Sequence, residues 1–186
     1  MSRSFLCNPE SVRVVEYLSP YNIRVLLDDR RRYPPDYSGG ASMCGLSLAE
    51  RAVYAVKGAK PEDVLHEMSH IICQCPDGGI DDFCESWILM GFEMAVAREL
   101  WEPDTQEFKD VTAYQSVTQI RHPMDRRRVI PMPDIPYELV DQMLGQATGR
   151  CRSLGLLDAD DRPTLKEADW AGWKGRRASG KKYRVV

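Results

Sequence analysis

Apolar residues in residues 61–73 recur at helical spacing. At about 100° per residue, Val64, Leu65, Met68, Ile71 and Ile72 make a stripe broad enough to bury a helix in a core. Pro61 suits the first helical position, and Glu62 and Asp63 complement the positive end of the dipole. The run Cys75-Pro76-Asp77-Gly78-Gly79 then breaks the pattern and reverses the chain. A second helix is predicted from about Asp82 to Trp101, with Leu89, Phe92 and Val96 on the same face as Glu85. Upstream, residues 21–27 and 51–57 have the β-branched and aromatic content of strands, and residues 34–40 read as a loop. Downstream, Phe108, Val111, Tyr114 and Val117 or Thr118 give residues 104–121 a helical period that His122-Pro123 ends. The proline-rich residues 130–136 precede an amphipathic helix with a stripe through Leu139, Val140, Met143, Leu144, Ala147 and Cys151, closed by Gly155. Thr164-Leu165-Lys166-Glu167 has the form of a capping box, predicting a short helix that carries Trp170 and ends near Trp173.

Composition narrows the class. With 186 residues, 43% hydrophobic and 28% charged, the chain has the make-up of an ordinary soluble globular protein with one principal domain. No apolar run approaches a membrane span, and the N-terminal residues show no secretory segment, so the expected location is cytoplasmic. The six cysteines, at 7, 44, 73, 75, 84 and 151, form no CxxC pair, and reduced thiols are the simpler reading. Charge is uneven: residues 174–186 hold six of the 25 basic residues and none of the 28 acidic ones. Such a basic tail suits nucleic acid, an acidic partner or the protein's own acidic surface, but it carries no nucleic-acid motif, and a solvated terminus is the simpler account.

Candidate chemistry concentrates in His66-Glu67-Met68-Ser69-His70, which uses two of the three histidines. Four residues make slightly more than one turn, so both imidazoles can reach one ion, each about 2.0–2.1 Å away. Glu67 sits beside that face, better placed to take a proton from an activated water than to bind the ion. A catalytic zinc usually takes three protein ligands, and Glu85 is the chosen third. Its face of the second helix is apolar, and a buried carboxylate needs a cation or strong hydrogen bonds. A competing role exists, because Asp82-Phe83-Cys84-Glu85 also reads as a capping box. Glu93 and Asp81 are weaker substitutes. Cys73 lies on the histidine face, but three ligands from one continuous helix are geometrically strained.

With these residues in place, residues 53–100 resemble the core of a zincin metallopeptidase of the glutamate-ligand type, the gluzincins. The metzincin pattern fits poorly, since Cys73 and Pro76 stand where that family uses a glycine and a third histidine or aspartate. The brief loop to the second helix is similar to that of the small ImmA/IrrE-type peptidases, although Ser86-Trp87-Ile88-Leu89-Met90-Gly91-Phe92 replaces their alanine-rich continuation. The resemblance implies an α+β fold in which a small mixed sheet packs on the HExxH helix and a second ligand helix. It implies Zn²⁺ on His66, His70 and Glu85, with Glu67 as general base in peptide hydrolysis and a protein or peptide as substrate. It also implies an oxyanion donor beyond the ligand helix, for which His122, Tyr114 and Arg121 are the candidates, and a strand at 51–57 bordering the substrate cleft. The expected organisation is a metal-binding domain over 1–129, a helical extension over 130–173 and a basic tail over 174–186. The alternative reading is a catalytically inactive zincin-fold protein with a structural or interaction role.

Overall fold

The computed structural model describes residues 5–29, 33–39, 44–74, 82–119, 121–122, 125–129 and 137–170. At 38–39, 82–87, 113–119, 121–122, 125–129 and 137–143 it describes the backbone alone. The basic tail lies outside the described residues.

A helix the sequence reading passed over opens the fold. Asn8 accepts hydrogen bonds from the Glu10 and Ser11 amides, and Pro9 takes the first position, so α1 (Pro9–Tyr17) starts with a full N-cap. Its buried Val14 and Val15 face the core, and the Ser11 hydroxyl donates to the Ala59 carbonyl at 2.7 Å, just ahead of the histidine helix.

Four short strands follow: β1 (Arg24–Leu27), β2 (Ser38–Gly39), β3 (Cys44–Ser47) and β4 (Ala52–Ala55). The first is shorter than the pattern over 21–27 predicts, because Ser19–Tyr21 forms a 3₁₀ turn and Asn22 is left-handed at φ 55°. The sheet order is β1-β4-β3-β2, with β1 parallel to β4 and the other pairs antiparallel, so the sheet is mixed. One expectation is overturned here. β4 does not border a cleft with an open backbone; it is central, paired along its whole length with β1 and β3, and all four of its residues are buried. It is an ordinary core strand. Its inner face, Val53 and Ala55 with Cys44 and Leu46 of β3, joins the core. On the outer face Gly45 leaves room for the Tyr37 ring, which stacks on Tyr33 with centroids 3.9 Å apart and meets Tyr54 edge-on. Asp36 ties this loop down, accepting from Ser47 Oγ and the Ala49 amide.

The helices agree closely with the hydrophobic pattern: α2 (Pro61–Cys73), α3 (Asp82–Leu100), α4 (Gln106–Gln119) and, after the hairpin β5 (Arg121–His122) and β6 (Asp125–Val129), α5 (Tyr137–Ser153). α2 packs against α1, α3, α4, β3 and β4. α5 lies on α3, where Gly91 admits the Ala147 backbone and Cys151 Sγ, and that thiol lies 3.2 Å from the Ile88 carbonyl. The whole is α+β. Among the described residues no helix is long and apolar enough to cross a membrane.

The second overturned expectation is the short helix from Thr164. Its amide donates to the Leu156 carbonyl and its hydroxyl to the Gly155 carbonyl, while Leu165 takes φ 61°. The left-handed Leu165 cannot carry a helix on from Thr164, so residues 163–169 run as an irregular strap and helical backbone appears only at Trp170.

Candidate metal centre

α2 holds the candidate residues His66, Glu67 and His70 in an enclosed position. Of its residues only Asp63 and His66 are not buried, so the histidine face is part of the interior rather than a separate exposed side. His70 is 6% exposed and Glu67 8%.

The two imidazoles meet as the helical spacing requires. Their ring centroids are 4.6 Å apart, the planes cross at 84°, and the Nε2 atoms face each other at 3.1 Å. Two ligands about 2.0–2.1 Å from one ion at tetrahedral angles would be separated by roughly 3.3 Å. The pair therefore fits a shared cation. In its absence one ring donates an N–H to the other.

On its far side, His66 Nδ1 lies 3.0 Å from Oε1 of Glu93, a carboxylate 1% exposed in the middle of α3. Burial pushes the Glu93 carboxyl up, and the charge and hydrogen bond of His66 pull against that shift. An ionised Glu93 accepts the Nδ1 proton and leaves the Nε2 lone pair of His66 facing His70. A cation on Nε2 favours that ionised arrangement, and a carboxylate behind an imidazole is the usual support of a ligating histidine. Glu93 thus has a definite place that the sequence reading did not give it. The signal was there: Glu93 stands alone among apolar residues from Trp87 to Ala97.

Glu67 follows His66 by about 100° of helix turn. Its charge acts on the Cys44 thiol of β3 and on Tyr37. Burial first, then the carboxylates Asp63, Glu67 and Asp28, push the Cys44 thiol well up. Asp63 is itself raised by burial, against the lowering effect of Lys60 and His66. Cys44 is thus a protonated neighbour of the acidic side of α2. Cys73 is buried at the end of α2.

The remaining candidates are placed by backbone only. Glu85 falls in the first turn of α3, Tyr114 in α4, and Arg121 and His122 in β5, with side chains that are not described; Asp81 lies outside the described residues. Eight residues separate Glu85 from Glu93, about 12 Å along a helix axis. α2 and α3 pack against each other, and the His66–Glu93 pair joins them. Among the described residues no group of three or more histidines, cysteines or carboxylates converges on one point. No protein-family model, no curated protein and no solved structure matches this chain.

Proposed function

We propose that the protein is a zinc-dependent peptidase of the gluzincin type, with His66 and His70 as ligands and Glu85 as the third. The observation that carries the reading is the His66–His70–Glu93 array: two Nε2 atoms 3.1 Å apart, one ring backed by a buried carboxylate. Donor type, separation and support all suit a divalent ion of zinc's preferences. Zinc, when bound, acidifies a water and polarises a carbonyl. Glu67 would accept the proton of the attacking water and hand it to the leaving amine, so that one water and one peptide bond would become an acid and an amine. Glu93 keeps the Nδ1 proton on His66 and so presents Nε2 as the donor. His122, Tyr114 and Arg121 are the candidates for holding the oxyanion.

A second reading, a zincin-fold protein without activity, draws on two observations. The His66 side chain is only 14% exposed and His70 is buried, so a substrate has little access to either. One variant separates the two. Glu67→Gln should keep metal content at the wild-type level and remove turnover of a mixed peptide library; proteolysis persisting in that variant would contradict the mechanism. A wild-type protein that binds metal and cleaves nothing would favour the second reading.

A further inference from the structure

The last four carbonyls of an α-helix have no partner inside it. In α2 they are divided between two distant parts of the chain. The His70 and Ile71 carbonyls accept from the amide of Gln74, a left-handed cap at φ 52°. The Ile72 carbonyl accepts from the Ala168 amide at 3.2 Å, and the Cys73 carbonyl from the Trp170 indole at 2.7 Å. Half of the cap therefore comes from a strap almost a hundred residues downstream. Glu167 reinforces it, accepting from Gln74 Nε2 at 2.7 Å and pairing with Arg51 at 2.5 Å.

The strap holds this position against a local cost. Leu165 is a bulky residue at φ 61° that stays half exposed, so its burial offsets the left-handed backbone only in part. Opening would relieve that backbone strain. His70 stands in the last turn of α2, the turn that loses half its cap when the strap leaves.

We propose that residues 163–170 are a latch on the HExxH helix: closed, they complete its C-terminal cap and hold His70 against His66, and they open as a local unit that loosens this pair. The effect on metal rests on the zinc reading above; the latch itself does not. The test is amide hydrogen exchange on the full chain, with zinc titration beside it, for wild type, Trp170→Phe and Trp101→Phe. The last is matched chemically, because the Trp101 indole donates to Glu10 on α1, away from the strap. In Trp170→Phe, exchange at Cys73, Gln74, Ala168 and Asp169 should rise together by about fivefold to tenfold, independently of denaturant, and zinc affinity should fall by a similar factor. Trp101→Phe should leave the ratio of these amides to the rest of the core unchanged. Equal last-turn protection in both variants, or exchange only through global unfolding, would overturn the latch. Faster exchange with unaltered zinc affinity would overturn its coupling to the site. Should Trp170→Phe fail to fold, Glu167→Gln weakens the same closure and is read in the same way. A wild type that binds no zinc while these amides still open together would sink the zinc reading and leave the latch standing.

Discussion

An imidazole that meets a buried carboxylate through Nδ1 has one nitrogen left to offer, and in His66 that nitrogen is turned toward His70. The residue scale therefore centres on Glu93, whose burial would be costly without a cationic or hydrogen-bonding partner. Replacing it tests the support directly. Glu93→Gln can still accept the Nδ1 proton but carries no charge, and its amide can flip to present a donor instead. Zinc affinity, measured by competition with a chromophoric chelator, should fall about tenfold to a hundredfold. An unchanged affinity would mean that Glu93 is only a satisfied core carboxylate. Helical phase marked the pair His66 and His70 in the sequence, because spacing of four is a local property. The partnership with Glu93 depends on how α2 lies against α3, which no local pattern contains.

At the scale of elements, the longer helices were legible from periodicity. α2 and α3 start where Pro61 and Asp82 predict, and the proline-glycine break separates them. α1 was missed although Asn8-Pro9 marks its start, since its stripe is short and its apolar residues are the β-branched Val12, Val14 and Val15. β3 was missed because Cys44-Gly45-Leu46-Ser47 has little β-branched content; its burial is imposed by its neighbours. The capping box at Thr164 failed because Leu165 is left-handed, so the Thr164 hydroxyl closes a tight turn on the Lys166 amide instead of opening a helix. The α3–α5 contact gives a prediction of its own. A Cβ at Gly91 would lie 2.8 Å from the Ala147 carbonyl carbon and 2.9 Å from Cys151 Sγ. Alanine gains about 1 kcal/mol of helix propensity, but the close backbone approach should win, and Gly91→Ala should lose about 1–3 kcal/mol in urea unfolding. A stability gain would show that α5 can move away from α3 without cost.

For the molecule as a whole, the HExxH helix is enclosed by α1, α3, α4 and the inner face of the sheet, and its end is capped by the strap that follows α5. That enclosure gives the two histidines a fixed separation and a low-dielectric setting in which a cation is held strongly if its ligands are complete. Whether they are complete turns on Glu85 in the first turn of α3. Metal content decides the central claim most directly: elemental analysis of the folded chain after zinc is supplied and excess removed, for wild type, His66→Ala and Glu85→Ala. One equivalent of zinc in the wild type, lost in both variants, is the result expected of a three-ligand site. No zinc retained by the wild type would contradict the account, leaving His66, His70 and Glu93 as a buried hydrogen-bonded triad in a protein of another kind.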